Sequence, residues 1–428
     1  MFQHMLVPLD GSPQAEWILP AVVWLARRFG IPLTLLSVQD PDAAQPAAQP
    51  EGEGPQHLQG LAARLKEEGV QATSMVVVGR PAAAILRMAE QQGCNLIALS
   101  MSTHHTPGPG ILGGVTDRVF HRSHIPLLLM PPQSAPSPGE PEGSIATLMV
   151  PLDGSPLAEA ALPYAEHLAY TLGTELVLIR AVPFAGAYVD EATPPTGERE
   201  AHDYLATVAD RLRAEEFLVR TTVFGGLAAP HIIDLAQATP HSLLVMTTHG
   251  RSALTRWFVG SVTEEVVRAT VRPVLVIPRH YSRRYAETIA AVLARTPLFF
   301  ELGQEDLAHL ADAARIRTYR KGEVIVREGD PATGCFMIVS GRVEVSQGAA
   351  SATPLVLATM GPGEVFGEMA VIDEHPRSAT VRAIETTECV AIRRADFVET
   401  LRRHPGMAAQ LLPVLVRRVR QAEARLWE

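Results

Sequence analysis

Apolar positions along this chain repeat with two different periods. A short apolar run, Met5–Leu9, leads through a Gly-Ser-Pro turn to Ile18, Val22, Leu25 and Phe29, spaced as one face of a helix that stops at Gly30. Thr147–Leu152 opens a second segment in the same way, with Ala161, Ala165, Leu168 and Leu172 as the face and Gly173 as the stop. Unalternated apolar runs follow each helix, at Leu33–Val38 and Leu176–Val182. Strands without polar alternation, separated by helices, predict a parallel sheet covered on both faces. Such sheets place ligands at the carboxyl ends of the strands, near the switch in strand order. After Pro278 the pattern changes. SRRYAETIAAVLARTPLFFELGQEDLAHLADAA reads as helices. The glycine-punctuated stretches YRKGEVIVREGD, CFMIVSGRVEVS, LVLATMGPGEVFG, ATVRAI and CVAIRR then predict a barrel or β-roll. A last helix carries Leu411, Leu415, Val419, Ala422 and Leu426, and Pro413 is expected to kink or restart it.

The first two segments are copies of one another. MLVPLDGSPQAE from Met5 matches LMVPLDGSPLAE from Leu148, which places Asp10 and Asp153 143 residues apart. Ser100 and Thr247, Gly113 and Gly260, and Pro126 and Pro273 are each 147 apart, so the second copy has gained four residues mid-domain. Copies this long are domains rather than solenoid units. The Pro/Ser/Gly/Glu-rich stretch 131–144 reads as a semi-stiff tether and 41–55 as a surface loop. The expected organisation is a first α/β domain over 1–133, a linker over 134–145, a second α/β domain over 146–280 and a β-roll domain with flanking helices over 281–428.

Composition narrows the function classes. With 47% hydrophobic and 19% charged residues each domain can bury a core, which excludes global disorder. Ile125–Met130, among the longest apolar runs, is strand-length and far short of the roughly 20 residues of a membrane span. MFQHMLVPLD has no signal-peptide character, and three cysteines (Cys94, Cys335 and Cys389, each beside an apolar run) fit a reducing cytoplasm. A net charge of −9 without a basic block argues against a nucleic-acid partner. His104, His105, His121 and His124 have no metal-ligand spacing and read as loop and helix-end residues, so no metal site is expected.

Two constellations carry chemistry. In the second copy, Gly250 and Gly260 are ten residues apart between a buried strand and a helix, and Ser261 follows directly. Glycines let main-chain N–H groups approach a polyphosphate, and a helix N-terminus favours an anion. Ser261 is the expected N-cap, with Glu264 completing a capping box. Arg251 adds charge near the terminal phosphates, and Asp153 is placed to reach a ribose or Mg2+. These residues resemble the universal stress protein family, whose ATP-binding members carry G-x2-G-x9-G-[ST] and a V-x-x-D-x-S turn. Here the patterns are Thr247-x2-Gly250-x9-Gly260-Ser261 and Val150-x-x-Asp153-x-Ser155, with Thr247 in place of the first glycine. The resemblance implies two doubly wound, adenine nucleotide alpha hydrolase-like domains. It also implies an ATP site, with or without Mg2+, built from Pro151, Asp153, Ser155 and Ala181, from Met246, Thr247, His249, Gly250 and Arg251, and from Gly260, Ser261, Val262 and Thr263. The alternative is that the glycines serve turn geometry alone. The first copy reads Ser100-x2-Thr103-x9-Gly113-Gly114, so its fold is expected to persist and its ATP site to be lost.

The second constellation is FGEMAVIDEHPRSATVRA, Phe366–Ala383. Gly367 permits close approach to a ligand, and Met369 and Ala370 open a short helix. Glu368 suits a ribose 2′-hydroxyl, Arg377 a phosphate and Ser378 a second phosphate bond. The stretch resembles the phosphate-binding cassette of cyclic nucleotide-binding domains, F-G-E-x-A-x(n)-R-[STA]-A, and the likeness extends over roughly residues 295–428. It implies contacts to cAMP or cGMP from Phe366, Gly367, Glu368, Met369, Ala370, Arg377, Ser378 and Ala379, and a lid over Pro405–Glu428. The alternative is a β-roll that keeps the cassette for folding, with Glu368 and Arg377 paired to each other. Trp427 is placed either to stack on the base or, the preferred reading, to pack in the core or an interface. In relatives that regulate transcription a helix-turn-helix follows the lid; this sequence ends at Glu428 and none is expected.

The leading expectation is therefore a cytoplasmic stress-signalling protein that binds ATP in its second copy and a cyclic nucleotide in its C-terminal domain, with coupling between them. The alternatives are slow ATP hydrolysis or autophosphorylation under cyclic-nucleotide control, and a structural adaptor that binds neither. No Walker lysine or arginine finger is seen, and His249 is the sole nearby base, so no catalytic residue is assigned. Val274–Ile277 and Leu127–Met130 are apolar enough to pair edge to edge, either within one chain as a pseudo-dimer or between chains as a homodimer.

Overall fold

The computed structural model describes residues 2–41, 53–101, 113–131, 145–182, 196–248, 260–278, 287, 289–300, 302–348 and 354–426. It divides into two compact units, Phe2–Ser282 and Arg283–Glu428.

In the first unit the first copy runs β1 (Met5–Pro8), α1 (Pro13–Glu16), α2 (Leu19–Phe29), β2 (Leu33–Gln39), α3 (Glu53–Glu67), β3 (Ala72–Val78), α4 (Pro81–Gln91), β4 (Leu96–Ser100), α5 (Gly114–Arg122) and β5 (Leu127–Met130). The second repeats it as β6 (Thr147–Pro151), α6 (Pro156–Glu159), α7 (Leu162–Leu172), β7 (Glu175–Val182), α8 (Thr196–Arg213), β8 (Val219–Gly225), α9 (Ala228–Ala238), β9 (Ser242–Thr247), α10 (Ser261–Ala269) and β10 (Val274–Ile277). Gly30 and Gly173 end α2 and α7 in the left-handed region at φ 65° and 69°, where glycine carries no Cβ penalty. The loop expected over 41–55 is shorter, because Glu53–Pro55 already belong to α3. Proline is tolerated there because the N–H groups of a first turn have no intrahelical acceptor.

All ten strands form one sheet in the order β3-β2-β1-β4-β5-β10-β9-β6-β7-β8. Pairing is parallel within each copy, and the strand order reverses beside β1 and beside β6. The copies meet through β5 and β10, which pair antiparallel with Leu128 opposite Leu275. Both leucines are only 2% exposed, so the two apolar edges cover each other within one chain. Of the two pairings open to the sequence, this one is intrachain. Aromatic packing adds to the junction: Phe2 lies 6.0 Å from Phe29 and 6.2 Å from Tyr164, and Phe29 stacks on His167 at 5.4 Å. An Arg268–Asp117 ion pair of 2.8 Å joins α10 to α5.

The second unit contains α11 (Gln304–Ala313), β11 (Arg315–Tyr319), β12 (Val324–Val326), β13 (Gly334–Ser340), β14 (Val343–Gln347), β15 (Leu355–Met360), β16 (Val365–Phe366), α12 (Glu368–Asp373), β17 (Thr380–Ala383), β18 (Thr387–Arg393), α13 (Arg394–Arg403) and α14 (Pro405–Leu426). Two antiparallel sheets, β11-β18-β13-β16 and β12-β17-β14-β15, make the β-roll. Phe336, Phe366, Val343 and Cys389 fill the space between them. The flanking helices pack Leu310, Phe397, Met407 and Leu411 against the other side of β13 and β18. Helix α14 does not restart at Pro413 but continues as one element. A proline there removes one hydrogen bond, and the turns on either side propagate the helix. The side chains of Val419, Ala422, Leu426 and Trp427 lie outside the described residues. All three cysteines are buried and free. No described helix is long and apolar enough to cross a membrane.

Candidate functional sites

The cassette is built around an arginine that reaches across the roll. β16 ends at Phe366, and Gly367 turns the chain with φ 78° before α12 begins. Two constraints disfavour a side chain at 367: the left-handed backbone, and a Cβ that would stand 2.6 Å from Arg377 Nη1 and displace it. Arg377 is 4% exposed; its Nη1 donates to the Gly367 carbonyl at 2.7 Å and its Nη2 to the Gly334 carbonyl at 2.6 Å. Its main chain is tied as well, with Arg377 N–H donating to the Asp330 carbonyl and the Gly329 N–H to the Arg377 carbonyl, both at 2.9 Å. Beneath it, Phe336 stacks on Phe366 at 5.2 Å, and the guanidinium lies 5.9 Å over the Phe336 ring. Burial pulls the Arg377 pKa down, while the neighbouring Cys335, Glu368 and Asp330 oppose that shift. Glu368 is fully buried in the first turn of α12. Burial, then the nearby Glu368 carboxylate, pushes the Cys335 thiol far above its ordinary value.

The structure thus brings Phe366, Gly367, Glu368 and Arg377 to one place, with Ala370 buried behind them and Met369 and Ala379 half-buried. Ser378 is exposed. The two terminal nitrogens of Arg377 donate to carbonyls, and Glu368 lies near enough to favour the charged guanidinium. Gly334 was not legible as a partner, because it lies 43 residues away in sequence.

In the second copy, Asp153 Oδ1 accepts from the Ser155 amide at 2.9 Å and hydroxyl at 2.6 Å, and Ser155 in turn caps α6 by accepting from Ala158 N–H at 3.2 Å. The first copy repeats the arrangement at the same distances, Asp10 with Ser12 at 2.9 and 2.6 Å. Since the turn is built identically in both copies, its aspartate has a structural task apart from any ligand. Across the switch point, Gly260 N–H donates to the Thr248 carbonyl at 2.6 Å, and Thr263 Oγ1 to the Thr247 carbonyl at 2.8 Å. This corrects the expected cap: Gly260 is the N-cap of α10 at φ −63°, ψ 140°, and Ser261 is its first helical residue. The bond to Thr248 holds Gly260 extended, so the helix starts at Ser261, one residue earlier than a serine cap requires. Glu264 pairs with Arg268 instead of closing a capping box. Pro151, Ala181, Met246 and Thr247 line the strand ends, and Ser261 and Val262 are exposed. His249, Gly250 and Arg251 lie outside the described residues, as do His104 and His105. Among the described residues no group of three or more potential ligands is clustered to hold a metal.

Sequence reasoning missed two residues at this end of the sheet, Arg180 on β7 and Tyr204 on α8, whose ring lies 4.7 Å under the guanidinium. The available signal was an arginine inside the apolar run LVLIRAV, where the first copy has Ser37.

The Universal stress protein family profile matches residues 1–131 and 145–278. The chain belongs to the universal stress protein family. A Cyclic nucleotide-binding domain matches residues 316–404, after the two stress-protein segments. A universal stress protein from Archaeoglobus fulgidus DSM 4304 superposes with a TM-score of 0.50 at 20% identity, over 64% of this chain and 96% of that one, which supports the fold. Over the C-terminal region, the Cyclic AMP receptor protein of Thermus thermophilus is 36% identical over 131 residues, 31% of this chain and 61% of that protein. The cAMP-dependent protein kinase regulatory subunit of Dictyostelium discoideum is 33% identical over 132 residues, 30% of this chain and 39% of that protein. The chain spans less than two thirds of the length of these curated relatives. Together, stress-protein and cyclic nucleotide-binding domains support regulation through bound nucleotide.

Proposed function

We propose that this protein is a regulator with two nucleotide inputs, cAMP at the C-terminal cassette and ATP in the second stress-protein copy, and that occupancy of one changes affinity for the other. The observation that carries the reading is Arg377, a buried cation held beside Glu368 by two carbonyls, with Gly367 giving the guanidinium the space a Cβ would take. A buried guanidinium whose terminal nitrogens bond only to neutral carbonyls is suited to a cyclic phosphate, which offers it an anionic acceptor. Phosphate entry exchanges bonds to neutral carbonyls for bonds to an anion, and a ribose hydroxyl suits the Glu368 carboxylate. The relatives named for cyclic AMP support the choice of ligand. ATP in the second copy is supported by Gly260–Ser261 at the switch point and the Asp153 turn, and Mg2+ would accompany its phosphates. Three free, buried cysteines suit a reducing cytoplasm.

Calorimetry of the full chain with Arg377→Ala tests the assignment. The expected result is loss of cAMP binding with ATP binding unchanged; retained cAMP affinity refutes it. Coupling of about 1–3 kcal/mol predicts a 5- to 150-fold change in cAMP affinity on ATP saturation. Identical affinities with and without ATP refute the coupling.

A further inference from the structure

Arg180 interrupts the apolar run that follows Glu175 in β7, one residue before Ala181. Its guanidinium stacks on the Tyr204 ring, 4.7 Å from the centroid, and presses on the turn after β6 so closely that a Cβ on Gly154 would meet Nη1 at 2.7 Å. Tyr204 is itself fixed, its hydroxyl donating to Glu159 Oε1 at 2.9 Å. Burial, then that bond, holds the phenol above its ordinary pKa, so it remains a donor. The chain Glu159–Tyr204–Arg180 therefore sets a guanidinium beside the Asp153–Gly154 turn at the strand ends.

The first copy serves as an internal control. Glu16, His57 and Ser37 stand at the positions of Glu159, Tyr204 and Arg180. Glu16 and His57 are bonded, Nε2 to Oε1, at 2.6 Å. A carboxylate bonded to a ring is thus common to both copies and belongs to the scaffold. The guanidinium is confined to the copy that keeps Gly260–Ser261, and the copy with Gly113–Gly114 has a serine. Charge gives the reason. Asp153 and Glu159 both stand at this edge, and their field repels a polyphosphate; a cation fixed beside the Asp153–Gly154 turn offsets it. A guanidinium also presents paired N–H donors that match phosphate oxygens, and stacking on an aromatic ring leaves its edge available.

We infer that Arg180, oriented by Tyr204, determines specificity in the second copy by contacting a phosphate of the nucleotide bound over the Asp153 turn. This rests on the reading of that copy as an ATP site. The test is calorimetry of the full chain and its Arg180→Ser and Arg180→Lys variants with ATP and with adenosine, the latter also by competition against ATP. Arg180→Ser is expected to weaken ATP about 10- to 100-fold while leaving adenosine within about twofold, and Arg180→Lys to recover part of the loss. Equal losses for both ligands, an unchanged ATP affinity, or tighter ATP binding by the serine variant would each overturn the inference. Where adenosine is too weak to measure, the lysine variant decides: recovery by a point charge supports the phosphate contact, and no recovery overturns it. If the unaltered protein binds neither ligand, the ATP reading itself fails and takes the inference with it. Binding by the unaltered protein with an unaffected serine variant removes Arg180 alone.

Discussion

Gly367→Ala separates the cassette's ligand geometry from ordinary turn chemistry, because the same roll contains a matched glycine. Gly363 has φ 83° and open space, with nothing within 4 Å of where a Cβ would stand, whereas Gly367 has φ 78° and Arg377 Nη1 at 2.6 Å. Placing alanine in the left-handed region costs about 1 kcal/mol at either position. At 367 the guanidinium must also retreat by about 1 Å to reach ordinary contact, which breaks the Nη1 bond to the Gly367 carbonyl. A hydrogen bond to a charged group contributes about 1.5–3 kcal/mol. The sum is about 3 kcal/mol for Gly367→Ala against about 1 kcal/mol for Gly363→Ala. The difference of about 2 kcal/mol corresponds to a roughly 30-fold larger local opening constant. Hydrogen-exchange mass spectrometry of β13 and β16, the strands that flank the guanidinium, reads it directly. Gly363→Ala should leave cAMP affinity nearly intact and Gly367→Ala should reduce it, since the displaced arginine no longer faces the phosphate. Equal loss of protection in the two variants would refute the clamp.

The Asp153 turn and the cysteines yield two further expectations. Asp10→Ala and Asp153→Ala should each cost about 1 kcal/mol of stability by urea unfolding, because each removes the acceptor for a serine amide and hydroxyl. ATP affinity should fall in the second variant alone, and an equal effect of both on ATP would contradict the assignment. Burial pushes the Cys94 thiol up to about 11 and the Cys389 thiol up to about 12. The stability these neutral thiols contribute is present in full below the ordinary thiol pKa of about 8.5 and is lost as pH rises through the folded values. At pH 8 alkylation by iodoacetamide should be negligible until denaturant is added, and rapid labelling of the native protein would refute the burial.

Much of this molecule is written in local patterns. The duplicated VPLDGSP turn, the apolar strands and the glycines after α2 and α7 predict the paired α/β domains, because periodicity and turn chemistry act over a few residues. The cassette was legible for the same reason: Gly367, Glu368 and Arg377 lie within a dozen residues of one another. What the sequence alone left open was every choice that depends on distant partners. Two apolar edges, Leu127–Met130 and Val274–Ile277, are compatible with pairing inside or between chains, and the continuous ten-stranded sheet pairs them within the chain. Ser261 satisfies every local rule for an N-cap, yet the Thr248 carbonyl captures the Gly260 amide and moves the helix start. Arg377 finds Gly334 across the roll, and Arg180 finds Tyr204 from the facing helix. Buried polar groups take whichever partners the folded chain brings within hydrogen-bond reach, and that neighbourhood exists only after the strands have closed.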